Sequence, residues 1–473
     1  MKGLLSKYGA TVVIVLWAVF CWCFFQFLYP YHFFYHEQNQ IFLWDWEYVS
    51  DYFDKTGGVA RLVGDFLTQF YYYLYAGATI LTLCIAVTGT LFYKALRNYR
   101  VCRQIALVLA LVVMTFVAIC HFSTNYRLSS TISVAGWMLV LWLVSLIQGR
   151  KMRLILTALA LLPIYLFIGL PQVKRLQMPD FALEKTFAVV NEYQFGNYDK
   201  VIDIIKSSDG WNDQMLFFYN LVQAQRGSLP DHLQDFTPNN LGTFDKIGPE
   251  TPRLTINNMN ELYWALGDMT FTERAAMMTN VFAPENRNVR MVKRLAECNI
   301  VSGDSAAAQK YLRILGKTFA YRQWVDATQE LLARGQMPQY LAQKTKFVNH
   351  HDTITVSDNA HFLMMQLLDH NPDNTIALDY ILCSNLLLKD IANFKRDYDR
   401  YCIDTNKPRL KPLYQEALCI WLAGTNAPQE EWEKYIKMND VMQKFIAYNN
   451  QRGNPRFKGT YWYYFDKIKA PEI

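Results

Sequence analysis

The chain has 473 residues, of which 52% are hydrophobic, 15% aromatic and only 19% charged, a composition too apolar for a disordered protein. The formal net charge is +6, and residues 1–175 carry 14 Lys and Arg against 6 Asp and Glu, which leaves 33 and 35 for the remainder. The basic excess therefore lies in the more apolar part, as in membrane domains. Because the remainder has no basic stripe, we expect no nucleic-acid partner.

Five segments are apolar enough to cross a bilayer, which takes about 20 residues. They run approximately over residues 12–29, 70–93, 105–121, 131–147 and 154–170. The first segment lacks a small-residue cleavage pattern, so we interpret it as a membrane anchor and not as a signal peptide. None of the five contains Asp, Glu, Lys or Arg, which argues against a pump or an ion-coupled transporter.

The orientation of these spans follows from the placement of lysine and arginine. Nine of these residues precede the first span or lie in the second-to-third and fourth-to-fifth connections: Lys2, Lys7, Lys94, Arg97, Arg100, Arg103, Arg150, Lys151 and Arg153. With five spans these positions share one side, which the positive-inside rule makes cytoplasmic. We therefore expect a cytoplasmic N-terminus and everything after residue 170 outside, although Lys174 and Arg175 argue weakly against this orientation.

The first outer connection, residues 31–69, contains all six acidic residues of the membrane half. Apolar residues between 41 and 53 are spaced as in a helix lying at the bilayer surface. Residues 55–58 break this pattern, and a second helix is expected over 59–66. Three aromatic residues of the first helix suit the headgroup region: Trp44, Trp46 and Tyr48.

Two interpretations compete for the polar residues of this loop. In one, Glu37, Asp45 and His36 are catalytic groups of a lipid-linked sugar transferase, since an outer carboxylate can deprotonate an acceptor or hold a metal. In the other, the acids only keep the loop outside and soluble. His32 and His36 are four residues apart, so a helix would place both imidazoles on one face as a metal requires, but interfacial packing explains them as well. We assign no catalytic residue, metal or cofactor.

After residue 176 the sequence changes to charged, amphipathic helices arranged in pairs. One pair surrounds a turn at Gly196 and another a turn at Gly303, and further pairs fall near 258–282 and 371–401. Five residues after each turn glycine come Val201 and Ala308, and nine after come Ile205 and Leu312, which should be the buried contacts between paired helices. The fragment Gly196-Asn-Tyr-Asp-Lys resembles a tetratricopeptide-repeat turn. The pattern predicts an all-α chain in which transmembrane helices (1–175) precede a tetratricopeptide-like solenoid (176–473), with an ordinary helical bundle as the alternative.

No catalytic motif is found in this second half. The densest titratable cluster, His350-His351-Asp352, is expected in a solvated loop between helices. Cys298, Cys383, Cys402 and Cys419 would face an oxidising compartment on the proposed orientation, and a disulfide between Cys402 and Cys419 is one option.

Several motifs together resemble an uncharacterised family of Bacteroidota membrane proteins. They are Glu37-Gln38-x-Gln40-x-Phe42, Gly57-Gly58, the block from Phe66 to Tyr72, Leu295-Ala-Glu-Cys-Asn-Ile, Lys310-Tyr-Leu-Arg-Ile-Leu and Thr460-Tyr-Trp-Tyr-Tyr-Phe. The resemblance implies a bacterial inner-membrane protein with a tetratricopeptide-like region in the periplasm, and it transfers no catalytic residue.

We therefore expect a membrane-anchored, non-enzymatic scaffold in the lipid bilayer, whose helical repeats bind a protein or peptide in the cell envelope. The alternative is a membrane glycosyl- or phosphoglycosyl-transferase that uses the outer-loop acids. Convergence of Glu37, Asp45 and His36 on a polar cavity would favour the enzyme, and their exposure to solvent would favour the scaffold.

Overall fold

The structure is a computed structural model that describes residues 2–163, 176–237, 239, 241, 251–348 and 359–471. Every regular element in this part of the chain is helical, which confirms the all-α prediction. His350-His351-Asp352 and the end of the fifth predicted span lie outside the described residues.

Eight α-helices occupy the first 163 residues, and a π-helical turn, Phe24–Leu28, extends the first of them. They are α1 (Lys2–Cys23), α2 (Tyr31–Gln38), α3 (Trp46–Ser50), α4 (Gly58–Thr68), α5 (Ala76–Asn98), α6 (Arg103–Cys120), α7 (Leu128–Ser145) and α8 (Arg150–Pro163). Among the described residues, four stretches are long and apolar enough to cross a membrane: Gly9–Leu28, α5, α6 and α7. They match the first four predicted spans, and of the fifth only α8 is described.

The remaining described residues form seventeen α-helices. They are α9 (Phe181–Gln194), α10 (Tyr198–Lys206), α11 (Asp213–Gln225), α12 (Leu229–His232), α13 (Arg253–Leu266), α14 (Met269–Phe282), α15 (Val289–Ser302), α16 (Ser305–Gly316), α17 (Arg322–Ala333), α18 (Gln339–Ala342), α19 (Ala360–His370), α20 (Thr375–Leu387), α21 (Ile391–Tyr398), α22 (Pro412–Gly424), α23 (Gln429–Tyr435), α24 (Asn439–Asn450) and α25 (Tyr461–Lys467).

The chain forms two compact units. The membrane unit comprises Met1–Phe187, Asn280–Ala296 and Ser305–Pro338, and the helical unit comprises the other segments. By packing, two segments of the later half therefore belong with the membrane helices. The boundary at residue 175, drawn from composition, stays a prediction.

Helix α5 is the centre of the membrane unit, where it packs against α1, α6 and α7. Leu81 is fully buried there. A Cβ added to Gly89 would lie 2.4 Å from the Met114 sulfur, so the glycine permits the close approach of α5 and α6. The hydroxyls of Thr82 and Thr88 each donate to a carbonyl one turn earlier, so both buried hydroxyls have a partner within their own helix.

The interfacial helix expected over residues 41–53 is wrong in extent, since only α3 is α-helical. The residues before it are extended because their backbone bonds to later segments of the membrane unit. The Trp44 amide donates to the Lys317 carbonyl over 2.7 Å, and the Gln40 carbonyl accepts from the Val289 amide over 3.2 Å. The second predicted helix, 59–66, is confirmed as α4.

The helix pairs occur where the turn glycines predict them. Gly196 and Gly303 have φ of 77° and 82°, a left-handed conformation that glycine adopts without strain. All four positions counted from them are buried, as predicted: Val201, Ile205, Ala308 and Leu312.

Helix α20 lies at the centre of the helical unit, packed against α11, α13, α19 and α21. It is apolar on nearly all sides, as expected of a helix without a solvent face. The aromatic motif at the C-terminus packs nearby, and the Tyr461 hydroxyl donates to the Leu386 carbonyl over 2.8 Å. Cys402 and Cys419 are buried free thiols, so the disulfide considered between them is not formed.

Candidate functional site in the outer loop

Helix α2 carries Glu37 and both predicted histidines, and a later carboxylate holds its N-terminus. The Tyr31 and His32 amides donate to Glu184 Oε1 and Oε2 over 2.5 and 3.1 Å. First-turn amides have no partner within their own helix, and a carboxylate there also complements the helix dipole. Burial raises the pKa of Glu184 to about 8, and the two amide bonds oppose that rise. Sequence analysis missed Glu184, because nothing distinguishes it from any other acid of an amphipathic helix.

Glu37 is a buried carboxylate with both oxygens engaged. Its side chain is 1% exposed. Oε1 accepts from the Tyr321 hydroxyl over 3.0 Å, and Oε2 accepts from Arg290 Nε over 3.3 Å. Burial raises the pKa of Glu37, while Arg290 and Tyr321 act in the opposite direction. The carboxylate therefore ties α2 to α15 and to the start of α17.

Asp45 has a different pair of partners at the other end of the loop. Its Oδ1 accepts from the Glu47 amide over 3.1 Å and so caps α3. Its Oδ2 forms an ion pair with Lys317, whose hydrogen bond is the main cause of a lowered Asp45 pKa. Since the Lys317 carbonyl also accepts a hydrogen bond from the Trp44 amide, one residue holds both the backbone and a side chain of the loop at this point.

His36 and His32 lie next to each other on α2, with ring centroids 6.0 Å apart. His32 Nδ1 bonds to the Tyr29 carbonyl over 2.6 Å, whereas Nε2 of both histidines has no hydrogen-bond partner among the described residues. Burial, followed by Arg127, lowers the pKa of His36 to about 4, and burial lowers the pKa of His32 well below its usual value. Both rings are therefore neutral near pH 7. In the described part of the chain, no three His, Cys, Asp or Glu side chains come together as metal ligands.

A second polar network joins α3 and α4 to the loop before α15. The Tyr52 hydroxyl donates to Asp65 Oδ2 over 2.8 Å and lies 3.0 Å from the Tyr48 hydroxyl. Arg287 donates to that Tyr48 oxygen over 2.7 Å, and its guanidinium lies 3.7 Å from Glu285. Burial raises the pKa of Asp65. This network is a further tie between the outer loop and the later segment.

Aromatic rings also pack where the outer loop meets the later segment. Phe319 lies 5.6 Å from the Trp44 ring and 5.9 Å from the Phe66 ring. The Phe319 amide donates to Gln69 Oε1 over 3.3 Å, just before α5 enters its span. Trp44 and Phe319 remain 65% and 40% exposed, so the cluster presents an apolar surface.

The three predicted catalytic residues thus have separate partners. Glu37 pairs with Arg290 and Asp45 with Lys317, both from the later segment, while His36 lies beside His32. They neither form one shared cluster nor splay into solvent. Arg290 and Lys317 were missed because no pattern in a single sequence links residues more than 240 positions apart. We call this set of ion pairs, hydrogen bonds and aromatic contacts between the outer loop and residues 285–321 the brace.

The chain belongs to a family of unknown function, DUF6057, which matches residues 6–173 and 170–468. No curated protein and no solved structure matches the chain. The motifs predicted membership of an uncharacterised family, and the family match confirms that part of the prediction.

Proposed function

We propose that the protein is a membrane-anchored scaffold whose helical half, residues 176–473, binds a protein or peptide partner in the cell envelope. The observation that carries this proposal is the engagement of the outer-loop acids. Both Glu37 oxygens and both Asp45 oxygens already have partners, which suits a structural brace better than a catalytic base awaiting substrate. A tetratricopeptide-like arrangement of the helix pairs is part of this proposal.

A cavity in the helical unit is the place that we propose for a partner side chain. It has a volume of 270 Å³ and lies between α22, α24 and α25. Phe445, Tyr448 and Trp462 line it, and Arg452 binds Asp466 through two bonds of 2.7 and 2.8 Å at its edge. Aromatic walls with a polar edge suit an apolar side chain carried on a peptide.

Filling this cavity tests the scaffold directly. A Cβ added to Gly424, which lines the cavity, would meet nothing within 4 Å, and the same holds for Gly210 outside it. In detergent pulldowns read by mass spectrometry, Gly424→Trp should lose a partner that wild type and Gly210→Trp both retain. Identical partner sets for all three proteins would remove the cavity from the proposal.

The orientation is proposed from the positive-inside rule. Alkaline phosphatase fused after Pro179 should be active, and fused after Arg100 it should be inactive. The reverse result would place the helical half in the cytoplasm and exclude a periplasmic partner.

A transferase remains the second candidate because of one observation. Glu37 has a raised pKa and adjoins His36, whose Nε2 has no hydrogen-bond partner among the described residues. A buried acid of this kind can act as a general acid or base. If Glu37→Gln abolished the cellular function of a folded and abundant protein while leaving the partner bound, the transferase would replace the scaffold.

A further inference from the structure

Two connections at the end of the membrane helices opposite the outer loop carry seven lysine and arginine residues. Two lie in the last turns of α5, one follows α5, one begins α6, and three lie at the start of α8. Five of the seven are exposed: Lys94, Arg97, Arg100, Arg150 and Lys151. We name all seven the cationic collar: Lys94, Arg97, Arg100, Arg103, Arg150, Lys151 and Arg153.

The fold brings the two connections to one surface. The Tyr99 hydroxyl, just after α5, lies 2.5 Å from the Thr157 hydroxyl of α8. The Arg153 guanidinium lies 5.2 Å from the centre of the Tyr99 ring. The preceding residue, Asn98, donates to the Ser145 hydroxyl over 2.8 Å and joins α5 to α7. Charges more than 40 residues apart in sequence therefore share one face.

The five exposed cations of the collar lie far in sequence from any acidic residue. All six acids of the first 175 residues lie between Glu37 and Asp65, beyond the other end of α5. Among the described residues, the five exposed cations form no ion pair with a carboxylate. Such a concentration of positive charge at the ends of apolar helices attracts anions from outside the chain.

We propose that the cationic collar binds the phosphate headgroups of anionic phospholipids. Long lysine and arginine stems reach from the ends of membrane helices to the headgroup layer, where phosphates are dense. Helices α6 and α8 also begin here, so their free amides add to the positive potential. This location selects a lipid phosphate over a free anion in solution, and lipid binding to the purified protein does not depend on the proposed scaffold function or orientation.

Native mass spectrometry of the full chain in neutral detergent tests the proposal. Phosphatidylglycerol should be retained in preference to phosphatidylcholine. Each cation removed should weaken phosphatidylglycerol binding about fivefold, so Arg100→Gln with Arg150→Gln should weaken it roughly 25-fold. Lys55→Gln with Arg61→Gln removes the same charge from the outer loop and should leave binding within about twofold.

A charge-retaining variant separates loss of charge from loss of folding. Arg100→Lys with Arg150→Lys should keep the phosphatidylglycerol preference even if the glutamine pair is poorly folded. Equal weakening by the collar and outer-loop glutamine pairs would refute a localised site. Competition by inorganic phosphate as strong as that by phosphatidylglycerol would show a free-anion site and overturn the lipid assignment.

Discussion

Removing the positive charge beside Glu37 is the substitution with the largest expected effect on the membrane unit. The Glu37 and Arg290 side chains are only 1% and 11% exposed, and their charged atoms lie 3.3 Å apart. Arg290→Met keeps much of the side-chain volume but removes both the charge and the donors. Among the described residues, Glu37 then retains the Tyr321 hydroxyl, at 3.0 Å, as its side-chain partner.

The expected cost is about 3–5 kcal/mol at neutral pH, the usual penalty for breaking a buried pair and leaving one charge uncompensated. The penalty has a predictable pH dependence. The folded-state pKa of Glu37 is already raised, so the protonated carboxyl is favoured in the fold, and losing Arg290 raises that pKa further. The stability that a raised pKa contributes is present below the unfolded-state pKa, near 4.5, and is lost as pH rises through the folded-state pKa. Arg290→Met should therefore cost less at low pH.

A double-mutant cycle supplies the assay. Glu37→Gln is neutral and keeps an acceptor for Tyr321, so Arg290→Met should cost at least about 2 kcal/mol less in that background. The free energy of unfolding is measured by denaturant titration of the purified protein in detergent, with exposed Arg322→Met as the control. If Arg290→Met cost the same in both backgrounds, the two side chains would not be coupled and the brace would be disproved.

Three other substitutions are expected to have distinct effects. Gly64→Ala would place a Cβ 2.6 Å from Ser129 backbone atoms and should destabilise the packing of α4 on α7 by about 1–3 kcal/mol in thermal denaturation. The control Gly136→Ala, whose Cβ would meet nothing within 4 Å, should be neutral or slightly stabilising. The folded-state pKa of His36 is about 4, below its usual 6.5, so its contribution to stability is complete above pH 6.5 and falls by up to about 1.4 kcal/mol per pH unit as pH drops towards 4. The difference in unfolding free energy between wild type and His36→Asn, measured from pH 7 to 5, should show that slope. A difference that stays constant over this range would contradict the prediction. Ala308→Phe should overpack a buried position and cost about 1–3 kcal/mol, while a change under about 0.5 kcal/mol would show that the site tolerates a large ring.

Local signals in the sequence were sufficient for the membrane helices and the helix pairs. A run of about 20 apolar residues must satisfy its backbone internally, so composition alone predicts a spanning helix. Gly196 and Gly303 mark turns because only glycine adopts their left-handed conformation freely, and the helical repeat then locates Val201, Ala308 and the other buried positions.

The outer loop was harder to predict because distant residues determine its conformation. The spacing of apolar residues favoured a helix from 41 to 53, but the Trp44 and Gln40 backbone groups bond to residues near 317 and 289. Tertiary hydrogen bonds outweigh helix propensity in such a short segment. The existence of polar residues at 36, 37 and 45 was visible in sequence, whereas the identity of their partners was not.

The brace pairs acidic residues of the outer loop with basic residues of the later segment. The outer loop supplies carboxylates at Glu37 and Asp45, and the later segment supplies Arg290 and Lys317 to meet them. A fragment that began after the membrane helices would keep these cations but lose both acids, and Phe319 would lose its aromatic neighbours. By packing, Asn280–Ala296 and Ser305–Pro338 of the later half belong to the membrane unit. Glu37 and Asp45 of the outer loop therefore both have partners within the membrane unit.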